Sequence, residues 1–375
     1  MSLRSLSLVE GSKPPQTQLP AVFPESFILC YIISVEKKSS PDGIVLLAKR
    51  PGPTSFASLN SVKKSLNTTK VGHTGTLDSF AQGLLVVCTG RLTKLAGNIT
   101  AFNKSYQAVI HFGTETDTLE YTGNVIKEAP LPTEEALRQA VEKISQQTMQ
   151  VPPTFSAIHI NGERASDLAR KGAQTEIPAR PVKIYKAEIK ELKANNEGLI
   201  EYALIDFSVS KGTYIRSLAR DIAYECKSAA HLTGLYRTKV GNFKIEDAAG
   251  LNALKPFTID SAVEEASNYK AETSEKKPFV MTPEEQALQE EIRTKLLSFD
   301  HSTAAECGFE SITISSAQAQ ADFFNGKKIT TSMFTQNIRE FAPDTQIAVF
   351  NENNQFLGLI YKDEKGRPGY RFVLN

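Results

Sequence analysis

One loop concentrates the residue types that chemistry needs. Gly72-His-Thr-Gly-Thr-Leu-Asp78 is punctuated by glycine, dense in small polar side chains and followed by the apolar run Leu84-Leu-Val-Val87. A carboxylate in such a loop can serve as nucleophile or base once a neighbour sets its ionisation. Asp78 also has a plainer use, as the N-cap of a short helical turn Ser79-Phe-Ala-Gln, because aspartate is among the preferred capping residues. Arg216 weighs against that use. It falls in the first turn of the helix that Ile215, Leu218 and Ile222 mark out over residues 213–224, where the helix dipole disfavours a cation. A facing carboxylate or phosphate would relieve that cost, whereas Arg220 already has acids beside it. Other chemistries lack their patterns. The chain has no G-x-x-x-x-G-K-[ST], no G-x-G-x-x-G after a strand, no H-E-x-x-H and no G-x-S-x-G. Its histidines (His73, His111, His159, His231, His301) and cysteines (Cys30, Cys88, Cys226, Cys307) stand apart, without metal spacing or a C-x-x-C pair. Neither a cofactor nor a metal is expected.

The elements that must hold this loop show in the periodicity. Gly43-Ile-Val-Leu-Leu reads as a buried strand that stops at Pro51-Gly-Pro53, and residues 54–66 as a helix entered through a Thr/Ser cap. From Tyr106 the chain alternates, with Tyr106, Ala108, Ile110 and Phe112 on one face. Residues 133–144 form an amphipathic helix capped by Thr133, and residues 202–209 a second alternating strand. Strands and helices mix without a strict βαβ repeat, which predicts an α+β fold. Two helical pieces flank a polar tip at 267–278. Beyond Ile312 the short strands Ile347-Ala-Val-Phe350, Phe356-Leu-Gly-Leu-Ile360 and Tyr370-Arg-Phe-Val-Leu374 read as a small β-barrel. The expected division is a poorly ordered Ser/Pro-rich extension over 1–40, a main α+β domain over 41–309 with an acidic insertion at about 264–289, and a small β module over 310–375.

Composition is that of a globular chain, 41% hydrophobic and 23% charged over 375 residues, and the formal net charge is +1. The charge is unevenly placed. Residues 41–250 carry 26 basic and 21 acidic side chains, while residues 251–310 carry 6 and 12. A basic stretch ahead of an acidic one fits a polyanionic partner on the first, although ordinary solvated faces would look the same. The longest clean apolar run, residues 27–35, is too short to span a bilayer and lies behind Pro14, Pro15, Pro20 and Pro24. No membrane is expected as a partner, and with scattered cysteines the expected compartment is the cytoplasm.

At the motif level the chain resembles the TruB family, the tRNA pseudouridine-55 synthases. Gly72-His-Thr-Gly-Thr-Leu-Asp78-Ser-Phe-Ala-Gln-Gly-Leu-Leu is similar to the family's catalytic motif. Lys104-Ser-Tyr106, Phe112-Gly-Thr-Glu-Thr-Asp117-Thr, Val151-Pro-Pro-Thr-Phe-Ser-Ala157, Ala179-Arg-Pro-Val182, Ser210-Lys-Gly-Thr-Tyr214-Ile-Arg216 and Ala230-His-Leu-Thr-Gly-Leu235-Tyr-Arg237 follow in the family's order. The tail resembles its PUA domain through Asn325-Gly-Lys and Phe356-Leu-Gly. The resemblance implies a mixed, mostly antiparallel sheet flanked by helices, with a PUA-like barrel behind it. It implies Asp78 as the essential aspartate, Arg216 as its partner, and Tyr106 against the target base. Tyr214 and Leu235 would line the pocket, and His73 would stand near the displaced nucleotide. Ser79 and Phe155 depart from the proline and tyrosine common in bacterial members. The implied reaction detaches uracil at N1–C1′, rotates it and rejoins it through C5, in the T-loop of tRNA at position 55. No cofactor and no guide RNA take part, and the chain is expected as a monomer whose C-terminal module reaches the acceptor stem. A tRNA-folding chaperone of the same fold is the alternative. A guide-dependent relative would carry a long basic tail, and a hydrolase pairing Asp78 with Asp117 would make all these blocks accidental.

Overall fold

A computed structural model describes residues 40–160, 162–171, 177–269 and 282–374. The N-terminal extension, up to Ser39, and most of the polar tip fall outside them. The apolar segment after Ser40 forms strand β1 (Gly43–Lys49), buried along its whole length, and Pro51-Gly-Pro53 ends it. Thr54 then caps α1 (Ser55–Ser65) by accepting from the Ala57 amide, as the Thr/Ser signal predicts. β2 (Val71–His73) and β3 (Gln82–Thr89) follow, and β4 (Lys104–Phe112) leads into the hairpin β5 (Thr114–Thr116) and β6 (Val125–Glu128). Next come α2 (Glu134–Ser145), the long strands β7 (Ile184–Ala194) and β8 (Ile200–Val209), α3 (Ile215–Glu225) and β9 (Ala230–Val240).

These strands build one eight-stranded sheet along the path β1-β3-β9-β4-β8-β7, with β2 beside β3 and the short strand Phe243–Lys244 beside β9. All neighbours are antiparallel except β3 and β9. Those two are parallel and touch only at Gln82–Tyr236 and Gly83–Arg237. Gly83 permits that contact, because a Cβ there would sit 2.4 Å from the Arg237 carbonyl oxygen, at a φ of +115°. Beyond this point the strands part. A loop takes up the freed edge of β9, with Leu119 accepting from the Leu232 amide and the Tyr121 amide donating to the Leu232 carbonyl.

α2 and α3 cover one face of the β4–β8–β9 region, closing Leu137, Ile144, Leu218 and Ile222 over Ala108, Ile110 and Phe112. On the other face α4 (Ile259–Ser267) packs Ile259 and Ala262 against Val109 and Leu204. β3 is buried on both sides, which is why its sequence is a continuous apolar run and does not alternate. Leu85 and Val87 meet Leu59 and Val62 of α1 together with Ile292 of α5 (Pro283–Thr294).

Leu84, Val86 and Cys88 point the opposite way, into a cluster with Phe299, Phe350, Phe356 and Leu359 from the C-terminal part of the chain. A second short helix, α6 (His301–Glu306), follows α5 after a break. The C-terminal segment then contributes β10 (Glu310–Thr313), α7 (Ala317–Phe324), β11 (Gln346–Phe350), β12 (Phe356–Lys362) and β13 (Pro368–Val373). The three short strands read from the sequence are there, but the barrel is not closed. They form an open four-stranded sheet in the order β10-β11-β12-β13, whose first pair is parallel. Closure is unnecessary because the sheet's two faces are covered, one by its own Ile312, Phe323 and Met333 and the other by the eight-stranded sheet.

Candidate active site

Asp78 lies in the loop between β2 and β3, pinned on both sides. Before it, the Ser55 hydroxyl both donates to the Leu77 carbonyl and accepts from the Leu77 amide, each at 2.8 Å. After it, the Ser79 carbonyl accepts from the Gly52 amide at 2.8 Å and from Lys49 Nζ at 3.1 Å. The capping use does not materialise, because Ser79 and Phe80 form a bend and no helix follows before β3. The Asp78 side chain reaches across the parted strands to Arg216.

Arg216 is the second residue of α3, which begins at Tyr214 without a side-chain cap. Its Nη2 donates to Asp78 Oδ1 at 3.1 Å, and Nε lies 3.0 Å from Oδ2 as an ion pair. The remaining donors go to the carbonyls of Thr118 at 2.9 Å and Phe155 at 3.1 Å. The guanidinium is 7% exposed and the carboxylate 31%, so one partner is locked while the other faces the cleft. The cation that the dipole disfavours at a helix N-terminus is thus offset by a carboxylate from another loop. Arg220 pairs with Asp221 at 2.8 Å.

Three charged residues that sequence reasoning did not assign complete the setting. Lys49 ends β1 almost fully buried and donates to the carbonyls of Arg50, Ser79 and Ala81 at 2.9, 3.1 and 2.7 Å. Burial pulls its pKa down to about 7, against the upward pull of Asp78, and three carbonyl acceptors hold the protonated form. Arg237, also buried, donates to the carbonyls of Leu84, Thr76 and Gly75 and so fastens the same loop to β9. Glu120 lies 4.0 Å from Arg216 Nε. Burial first, then the charge of Asp78, lift its carboxyl to about 7, with Arg216 opposing. Leu119 before it holds a φ of +60°, a strained conformation for leucine. The available signals were a lysine closing a wholly apolar strand and the acid just past the Asp117-Thr block.

The other expected residues are brought together in part. Tyr106 sits half-buried on the α3 side of β4, opposite Arg237 of β9. Tyr214 is anchored through its backbone to Gln150, at 2.9 and 3.1 Å, and burial raises its phenol while Arg216 opposes. Leu235 packs in the same cluster as Tyr106. His73 is held on β2, and the charge it feels is Arg237, which with burial lowers its pKa. Its Nδ1 is buried without a hydrogen-bond partner, and among the described residues no hydrogen bond or ion pair joins it to the Asp78–Arg216 pair. Asp117 binds the amide of Asn124 at 3.0 Å and its side chain at 3.3 Å, so it closes its own turn and does not pair with Asp78.

Residues 63–215 match the model of the TruB family pseudouridylate synthase (N terminal domain), and this sets the class. A protein of Treponema denticola called tRNA pseudouridine synthase B is 43% identical over 78% of this chain and 85% of its own length. One of the same name from Treponema pallidum is 35% identical over 88% of this chain and 96% of its own. The chain belongs to the TruB family. Among solved structures, a chain of a Cbf5-Nop10-Gar1 complex shares the fold with a TM-score of 0.56 and 20% identity, over 90% of this chain and 86% of that one.

Proposed function

We propose that the chain converts uridine 55 in the T-loop of tRNA to pseudouridine, without a guide RNA, and that Asp78 is the catalytic residue. The carrying observation is the part-exposed Asp78 carboxylate held on both oxygens by the buried Arg216 fork at the parting of β3 and β9. The fork aims the carboxylate into the cleft, as either a nucleophile or a sugar-proton base requires. The reaction needs no redox partner. The N1–C1′ bond breaks, uracil turns, C5 bonds to C1′, and the C5 proton is replaced by one on N1. Tyr106, Tyr214 and Leu235 supply the wall against which a flipped base packs, offsetting the few kcal/mol that unstacking costs. His73 stands toward the displaced nucleotide.

On this reading residues 41–309 are the catalytic domain and residues 310–375 grip the acceptor stem, with exposed Lys328 beside the Asn325-Gly-Lys turn as one contact. The working form is a monomer in the cytoplasm. Among the described residues no helix is long and apolar enough to cross a membrane. The test is incubation of purified protein with unmodified tRNA and with an isolated T-arm stem-loop, followed by mapping of pseudouridine. Turnover on both without added RNA is expected. Activity only with a guide complex, or tRNA refolding with no pseudouridine formed, would overturn the reading.

A further inference from the structure

Beyond Phe80 and Tyr121 lies a cavity of about 210 Å³ that the Asp78–Arg216 site does not use. Of the residues expected at that site Leu235 also lines this cavity, while Asp78, Arg216, Tyr106, Tyr214 and His73 do not. The edge-on contact of Phe80 with Tyr121, 5.7 Å between ring centres, is part of its wall. Glu120 approaches Arg216, whereas Tyr121, the next residue, lines this chamber. The volume is below the 300–1,000 Å³ usual for a small-molecule site, which leaves room for one ring system and little more.

The chamber is built for a ligand with both an apolar face and a polar edge. Phe80, Tyr121 and Phe257 give aromatic walls. Thr233 is 5% exposed, and its Oγ1 is buried with no hydrogen-bond partner. A threonine normally satisfies that hydroxyl, and an unmade bond inside the protein is costly. Its placement is the work of a bulge. The register of β9 against β4 slips between Leu232 and Gly234, which leaves Thr233 as the extra residue. Gly234 beside it lets the far wall close in, since a Cβ would sit 2.7 Å from that of Ala262 and 3.1 Å from the Phe257 ring. Arg50 and Lys255 bring positive charge to its lining beside one acid, Glu265, and the Lys255 side chain, 69% exposed, lies 3.9 Å from Glu264.

We propose that this chamber takes one unpaired nucleotide other than the one being isomerised. Its base lies against the aromatic walls and bonds Thr233 Oγ1, and its phosphate rests near Arg50 and Lys255. This rests on the reading that the chain works on an RNA loop, where splayed bases are what a protein can grip. The same chemistry could be offered by the substrate RNA or by a free nucleoside monophosphate.

Thr233→Val removes the hydroxyl and little else, and Thr233→Ser restores it. The valine variant is expected to melt no lower than wild type and to turn over normally at saturating RNA. It should bind a T-arm stem-loop about five- to tenfold more weakly, the loss of one hydrogen bond. Serine should recover the affinity. Lys255→Gln should reduce the salt slope of RNA binding by about 0.7–0.9, one phosphate contact. Uridine, cytidine and guanosine monophosphate are titrated in parallel. Thr233-dependent binding of a free nucleotide assigns the source to the free pool, and Thr233-dependent binding of RNA alone assigns it to the substrate. If Thr233→Val binds both as wild type does and Lys255→Gln leaves the slope unchanged, the proposal is overturned. Pseudouridine is scored separately, so a chain that binds through Thr233 but forms none would sink the functional reading and not this one.

Discussion

Asp78→Asn separates the chemistry of the site from its architecture. The amide keeps the size of aspartate and one oxygen for Arg216 Nη2, but loses the charge and the second acceptor. Removing one partner of a buried ion pair costs about 3–5 kcal/mol. Here only Arg216 is locked inside, Asp78 is 31% exposed, and Glu120 stands 4.0 Å away as a second acid. The cost should therefore fall nearer 1–3 kcal/mol, a few degrees of melting temperature for a chain of this size. A further effect has a definite sign. The charge of Asp78 helps to lift the Glu120 carboxyl to about 7. With that charge gone, Glu120 should ionise at lower pH and take over part of the neutralisation of Arg216. The variant is thus expected to be folded, to bind tRNA close to normally, and to show no pseudouridine in a single-turnover assay. Carboxyl titration by NMR should show the Glu120 resonance shifted downward in pH. A folded variant with near-normal turnover would refute the assignment of Asp78, and an unmoved Glu120 would refute the electrostatic coupling.

Arg216→Lys keeps the charge but loses the fork and the bonds to Thr118 and Phe155, so single-turnover rate should fall well below wild type, by roughly a hundredfold, as Asp78 is mispositioned. Wild-type positioning with lysine, read as an unchanged rate, contradicts this. Glu120→Gln should stabilise the protein at pH 8 and change little near pH 4.5. A carboxyl raised from 4.5 to about 7 penalises folding increasingly through that window, by order of 3 kcal/mol at its top, and glutamine escapes the penalty. Equal melting temperatures of the two proteins at pH 8 would count against it. Lys49→Met removes the ammonium donor from the Ala81 carbonyl and leaves the Ser79 carbonyl with the Gly52 amide alone, and should cost turnover more than tRNA affinity; equal losses in both would point to a merely structural lysine. Deleting residues 310–375 would take Ala348, Phe350, Phe356, Leu359 and Leu374 out of the cluster that holds Ile44, Leu46, Leu84 and Val86, and the partly uncovered face should lower the melting temperature strongly or abolish cooperative melting. A truncated chain that melts cooperatively at a normal temperature shows that accounting to be wrong.

The sequence carried the frame of the site because periodicity and capping are local. Thr54 and Thr133 announced their helices, the alternation from Tyr106 gave the buried face of β4, and the misplaced cation at Arg216 called for an acid. What stayed hidden depends on where strands part in space. Nothing local tells that β3 and β9 touch at two residue pairs and then separate, or that the Lys49 ammonium lands on the carbonyls after Asp78. Glu120 acquires its raised carboxyl from burial and from residues far away in the chain. The barrel was misjudged for a related reason. Short alternating strands look alike whether a sheet closes on itself or, as here, lays one face against another sheet.

That shared face also has a consequence for how the chain is made. The side of β1 and β3 bearing Ile44, Leu46, Leu84 and Val86 shares its cluster with Phe350, Phe356 and Leu359, which are synthesised long after it. At about 5–20 residues per second, residues 311–375 take roughly 3–13 s, during which an apolar sheet surface waits for part of its cover. A ribosome that stalls in this interval leaves a chain that already carries Asp78 and Arg216 but has an unfinished core. Surveillance by chaperones and proteases would therefore remove incomplete copies on the strength of exposed greasy surface, before any of them could compete for tRNA.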